Sequence, residues 1–183
     1  QRVSFRSGGK TISERQIMKG GRTSRLVIDA SIARASGGIE AVHPTATAVR
    51  DFLQKVLIIC HRAVMTPAIR LEWEKHESAF ARKWRRSMVA RKKVIVISPQ
   101  EMSEVRAAIK DGPASKNDKS AMIKDLLLVE AAIATDERVI ALDDKVKTLF
   151  AVESARIAGL RGIVWINPLT NPAGAMALLQ GDE

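Results

Sequence analysis

Four carboxylates sit where an α/β chain gathers chemistry. Asp29 directly follows the apolar run Leu26-Val27-Ile28, and Asp143 directly follows Val139-Ile140-Ala141-Leu142. Glu72 falls in the second turn of a helix whose start is marked by Thr66-Pro67, and Asp125 falls early in another helical pattern. Carboxylates brought together repel, and each is driven toward protonation unless a cation compensates. Hard divalent cations with oxygen ligands supply that compensation, and Mg²⁺ suits one or two carboxylates plus waters and a phosphate. A bound metal activates water and neutralises charge on phosphoryl oxygens. The chemistry on offer is hydrolysis of a phosphodiester. Taken singly, each acid also has a plainer role, as a helix cap or the end of a strand.

The four acids form one site only if the fold brings them together. Short, apolar, β-branched runs at 25–29, 62–66, 93–98, 138–142 and 162–166 read as strands buried on both faces. Helical patterns lie between them at 45–60, 67–91, 100–111, 119–135 and 144–157. This alternation predicts an α/β fold with a mainly parallel sheet. In such sheets functional groups gather outside the carboxyl ends of the strands. Crossover helices run antiparallel to the strands, so helix starts lie at the edge where strands end. Asp29, Glu72, Asp125 and Asp143 are therefore all expected at one rim.

Helix faces sharpen the placement. Over 67–91, Ile69, Trp73, Phe80, Trp84 and Met88 fall on one stripe at 100° per residue, with His76 filling the gap. Glu72 flanks that stripe. Lys75, Arg82 and Arg86 lie opposite. Over 119–135, Met122, Leu126, Val129 and Ile133 form the buried stripe, and Asp125 takes the same flank. The tryptophans read as core rather than as base-stacking platforms.

The formal charge is +10, and it is concentrated. Residues 1–25 carry a net +6, residues 82–93 a net +7, and the rest of the chain sums to −3. Two basic segments on a near-neutral body suit a polyanionic partner, with Lys75, Arg82 and Arg86 as expected phosphate contacts. Residues 1–24 have little apolar periodicity and read as a basic arm, 25–168 as the folded domain, and 169–183 as a tail. Cys60 is the single cysteine and sits in the apolar run Val56-Leu57-Ile58-Ile59-Cys60, so no intramolecular disulfide forms and a buried thiol is expected. One cysteine and three histidines do not make a structural zinc site. No apolar stretch approaches the ~20 residues of a membrane span, and no secretory apolar core opens the chain; a cytoplasmic protein without a membrane partner is expected. The Gly-Gly pairs form neither a GxGxxG nor a P-loop. No G-x-S-x-G motif supports acyl transfer.

Several of these segments resemble PIN-domain nucleases. Leu26-Val27-Ile28-Asp29-Ala30-Ser31 is similar to the family's opening strand, an apolar run ending in Asp-x-Ser/Thr/Asn. Val64-Met65-Thr66-Pro67-Ala68-Ile69-Arg70-Leu71-Glu72-Trp73 resembles its second strand and the helix bearing its Glu. Lys124-Asp125-Leu126-Leu127-Leu128-Val129-Glu130-Ala131-Ala132 and Val139-Ile140-Ala141-Leu142-Asp143 resemble the elements that present the third and fourth acids. The resemblance covers roughly residues 25–168. It implies a three-layer α/β/α fold and Mg²⁺- or Mn²⁺-dependent cleavage of RNA, or of single-stranded DNA. It makes Asp29, Glu72, Asp125 and Asp143 the metal ligands and Ser31 an orienting hydroxyl.

The family often has Thr or Ser two residues before the fourth acid. Ala141 stands there in this chain. Asp144 adjoins Asp143 and is its alternative, while Glu130 and Asp136 read as solvent-facing or capping. Many family members are toxins held in check by a small antitoxin, and many dimerise, so the resemblance implies an antitoxin and a homodimer as partners. The Ala141 departure and the long arm favour one alternative: a PIN-fold module that binds nucleic acid or a protein partner without catalysis.

Overall fold

The computed structural model describes residues 23–181. Almost all of the basic arm expected at 1–24 lies outside the described residues. Five strands, β1 (Arg25–Ile28), β2 (Arg62–Met65), β3 (Val94–Val96), β4 (Arg138–Ile140) and β5 (Val164–Ile166), form one sheet in the order β3-β2-β1-β4-β5. Every pairing is parallel. The helices are α1 (Ala30–Ala35), α2 (Pro44–Ile59), α3 (Pro67–His76), α4 (Ala79–Ala90), α5 (Ser103–Asp111), α6 (Lys116–Ile133), α7 (Asp144–Glu153) and α8 (Pro172–Gln180). The chain leaves β1 toward one edge through β2 and β3, then crosses back to β4 and β5. With right-handed crossovers, α1–α4 cover one face and α5–α7 the other, which makes the three-layer α/β/α fold. The strand order reverses between β1 and β4. That reversal opens a crevice at their carboxyl ends.

The core is continuous through both layers. Leu26, Val27, Val139 and Ile140 of the central strands have no exposed surface, nor do Leu53 of α2, Trp73 of α3, Met88 of α4, and Met122 and Leu126 of α6. Trp73 and Trp84 are core residues, stacked with ring centroids 5.9 Å apart. Their indole N–H groups donate to the Ile28 and Leu53 carbonyls at 2.8 and 2.7 Å. The first of these bonds pins α3 to the end of β1. No helix among the described residues is long and apolar enough to cross a membrane.

The structure departs from the sequence reading at several points. The helix expected over 67–91 is two helices. Glu77 is extended, and the Ser78 hydroxyl caps α4 by accepting from Ala81 N at 3.1 Å. Ser78 N also donates to Ala33 O, and its hydroxyl meets that of Ser36, so docking onto the end of α1 breaks the helix. Both halves keep their apolar sides inward, which is why the stripe looked continuous. Lys75 on α3 therefore does not share one helical face with Arg82 and Arg86 on α4.

Cys60 is exposed, not buried: it ends α2 in the left-handed conformation, with φ 73°, and only Val56 of its apolar run is fully covered. Ile133 is exposed at the last residue of α6. Strand β3 lies at the sheet edge, and Val96 is 71% exposed. The stretch expected to be a tail contains α8, which packs on α2 and buries Ala175, Leu178 and Leu179. Residues 30–35, left without an element in the sequence reading, form α1.

Candidate active site

Each acid is delivered by a different element. Asp29 ends β1 and caps α1: its Oδ2 accepts from Ser31 N at 3.0 Å. Asp143 follows β4 and caps α7, with Oδ1 accepting from Val146 N at 3.0 Å. A side-chain oxygen at this position satisfies a backbone donor the helix leaves unpaired. The plain capping role is thus real for both, and each carboxylate keeps a second oxygen. Glu72 comes from the second turn of α3, which the Thr66 hydroxyl caps by accepting from Ile69 N at 3.1 Å. Its Oε2 lies 3.4 Å from His76 Nε2, one turn on.

Asp125 arrives differently from expectation. Helix α6 starts at Lys116, earlier than the sequence pattern suggested, so Asp125 is mid-helix rather than in the first turns. The 18 residues of α6 span about 27 Å, roughly twice the length of the strands it covers. Its first turns overshoot the sheet, and its middle stands level with the strand ends. Lys145 of α7 reaches Asp118 at 2.7 Å and ties down the overhanging turn.

The four acids share one pocket. Asp29, Glu72, Asp125 and Asp143 line one pocket at the carboxyl edge of the sheet, together with Ser31, Arg34, His76, Lys124 and Asp144. Ser31 spans the crevice, its hydroxyl accepting from Leu142 N at 3.2 Å, so β1 and β4 are joined just before Asp143. Asp144 faces the same pocket, but its Oδ2 accepts from Asn167 Nδ2 at 3.0 Å and from the Thr170 hydroxyl at 2.9 Å. It holds the approach to α8, which leaves Asp143 as the freer of the neighbouring pair.

Asp125 carries the electrostatic signature of the pocket. Burial, and then the nearby Asp29 carboxylate, push its pKa from the ordinary 3.8 up to about 6; Asp143 and Glu72 add to this, and Lys124 opposes it. Its carboxylate accepts no hydrogen bond from any described residue. An underhydrated carboxyl facing three others is a poor place for charge unless a cation arrives. The donor set is all hard oxygen, which fits Mg²⁺ or Mn²⁺. As they stand the acids share the pocket without closing on one point: among the described residues no three His, Cys, Asp or Glu side chains form a group that would already hold an ion.

Comparison with protein-family models, characterised proteins and solved structures gives no match. The family resemblance rests on the residues of the chain itself.

The remaining acids lie elsewhere. Asp136 is at the opposite edge, paired with Arg25 at 2.5 Å. Glu130 accepts from Met102 N at 3.0 Å. Ala141, where the family often has a hydroxyl, is buried. Of the basic residues, Arg82 is engaged by Glu77 at 3.2 Å, and Arg82 and Arg86 line a shallow groove on the outer side of α4. Lys75 lies apart on α3. Arg34, His76 and Lys124 had not been identified from sequence as parts of the pocket. Arg34 belongs to a six-residue helix too short to show a period. Lys124 was visible beside Asp125, but the helical pattern alone gave it no direction.

Proposed function

We propose that this chain is a Mg²⁺- or Mn²⁺-dependent nuclease of PIN type that hydrolyses phosphodiester bonds, with RNA as the preferred substrate. The observation that carries the reading is the convergence of Asp29, Glu72, Asp125 and Asp143, from four separate elements, on one pocket at the switch point of a parallel sheet. Asp29, Glu72, Asp125 and Asp143 would hold the cation, which when bound would activate a water and neutralise charge on the phosphoryl oxygens. Asp29 and Asp143 flank the crevice between β1 and β4, and their capping bonds fix each carboxylate in place while leaving one oxygen free. Asp125 completes the set from α6, and Glu72 from α3. Ser31 positions the chain leading to Asp143 rather than touching substrate. Ligation requires the ionised carboxylates, so the raised proton affinity of Asp125 makes metal affinity fall as pH drops toward 6.

The test is cleavage of single-stranded RNA and DNA by the parent and by Asp29→Asn, with Mn²⁺ or with EDTA. Asn can still cap α1, so the fold should be kept while a charged ligand is lost. Metal-dependent cleavage by the parent and its disappearance in Asp29→Asn support the reading. Equal cleavage by two folded preparations would refute it, and a folded parent that does not cleave with Mn²⁺ would leave a nucleic-acid or protein-binding module in front. The same reading admits an antitoxin partner or a homodimer, which co-purification and mass measurement would reveal.

A further inference from the structure

The acidic pocket also holds two cations, and neither forms a salt bridge with its acids. Arg34, in the last turn of α1, and Lys124, beside Asp125 on α6, are exposed and line the pocket. Several other described arginines are paired with carboxylates: Arg25 with Asp136, Arg70 with Glu74, Arg85 with Glu77, Arg106 with Glu101, Arg156 with Glu153. Arg34 shares its pocket with Asp29, Glu72, Asp125, Asp143 and Asp144, yet its guanidinium makes neither a hydrogen bond nor an ion pair with any described residue. Lys124 makes no ion pair with one either. An arginine that served only to neutralise the acids would be bonded to one of them.

A polyanion approaching four carboxylates meets repulsion before it meets any metal. Cations in the same pocket offset that field. The guanidinium adds geometry, because its planar fork engages a phosphate through two parallel N–H groups, whereas an ammonium acts as a point charge. The two groups come from different elements, α1 and α6, so they offer a strand two separate cationic contacts.

Resting on the nuclease reading above, we propose that Arg34, seconded by Lys124, grips a phosphate adjacent to the scissile one. The pocket then selects an internal phosphodiester of a single polynucleotide strand over a lone phosphomonoester. Arg34 is a substrate-binding residue, and the contact is made before and during the reaction alike, so it acts on affinity rather than on turnover.

The experiment uses the full chain and a fluorescent single-stranded RNA 12-mer. Binding is followed by anisotropy in EDTA over a range of salt, and cleavage in Mn²⁺. Arg34 is exposed, so its replacement does not threaten folding. Arg34→Gln should weaken binding about tenfold or more and flatten the salt dependence by about 0.7 in the log–log slope, the value for one phosphate contact on a single strand. Arg34→Lys should keep the slope and lose part of the affinity. Lys124→Gln should have a smaller effect than Arg34→Gln. In Mn²⁺, Arg34→Gln should raise KM and leave kcat unchanged.

Affinity and slope equal to the parent's would overturn the proposal. So would a fall in kcat at constant KM, which would place Arg34 at the scissile phosphate. A parent that binds through Arg34 but never cleaves with Mn²⁺ sinks the nuclease reading and leaves the phosphate contact standing. A parent that cleaves with KM indifferent to Arg34 does the reverse.

Discussion

At the amino-terminal edge of the sheet, Asp136 accepts from Arg25 at both carboxylate oxygens, from the backbone N at 2.7 Å and from Nε at 2.8 Å. At the carboxyl edge, Asp125 accepts from nothing described and faces three more acids. Histidines repeat the contrast. His61, fully buried before β2, accepts from Ser24 N at Nδ1 (3.0 Å) and bonds the Leu179 carbonyl through Nε2 (2.8 Å). It is therefore the Nε2–H tautomer and clamps the start of β1 to the last turn of α8. His76, on the pocket side, is partly exposed, and among the described residues its ring is paired with Glu72 alone, at 3.4 Å. One edge satisfies its polar groups and holds the fold. The other leaves Asp125 without a hydrogen-bond donor among the described residues and beside other acids, a cost to stability that a bound cation would relieve.

The largest effects should come from crossing the two edges. Asp143→Asn keeps a side chain that caps α7, so the fold should hold its stability. Cleavage should fall by more than about a hundredfold, beyond the ~10–100-fold typical of groups that only orient metal ligands. His61→Ala should do the opposite. It removes the bonds to Ser24 N and to the Leu179 carbonyl and leaves a void, costing about 2–4 kcal/mol of stability, with cleavage per folded molecule unchanged. Urea denaturation and single-turnover cleavage of both variants read the pair. If either variant moved both quantities equally, the division of labour between the edges would be wrong.

A pH titration of stability should show opposite slopes from the two edges. Asp125 has its pKa raised from 3.8 to about 6, so the native state holds a proton that the unfolded state has released. Its contribution is present below about pH 4 and is lost as pH rises through 6, in all roughly 3 kcal/mol at most without a divalent cation. His61 runs the other way. Burial, first, and the Arg138 charge hold its pKa below 6.5 against the opposing bond to Leu179, so its contribution is present above pH 6.5 and falls away in acid. In the parent the two partly cancel. Asp125→Asn should unmask a curve that rises with pH. Added Mg²⁺ should flatten the Asp125 component and leave the His61 component alone, which thermal melts across pH 4–8 would reveal.

How much of this was legible beforehand follows from which signals are local. The strands could be read because buried parallel strands are continuous apolar runs, and Asp29 and Asp143 could be placed because they end two of them. Glu72 could be placed because Thr66-Pro67 marks a helix start on two independent grounds, a capping hydroxyl and a preset φ. Asp125 reaches the expected edge by a different route: its helix begins at Lys116, and the overshoot of α6 brings it level. The break at Glu77-Ser78 was hidden because tertiary docking on α1, not local propensity, decides it. Cys60 misled because an apolar run near a helix end need not face the core. The bonds of His61 to Ser24 and to Leu179 span 37 and 118 residues, and nothing local announces them.

The smallest expected effect tests how the pocket is assembled. Ser31 serves both flanking acids: its backbone N–H donates to Asp29, and its hydroxyl accepts from Leu142 N, the residue before Asp143. Ser31→Ala keeps the first bond and removes the second. Leu142 is only partly buried, so water can replace some of the loss, and stability should drop by about 1 kcal/mol. The segment carrying Asp143 is then less firmly held against β1. A displaced ligand lowers turnover without touching the rest of the pocket, so kcat should fall about tenfold, with KM unchanged. Ser31→Thr retains the oxygen and should restore most of the loss. A defect in Ser31→Ala as deep as in Asp143→Asn would mean that the hydroxyl takes part in the chemistry directly. A defect that Ser31→Thr shared in full would mean that the space around Ser31, not its oxygen, sets the geometry.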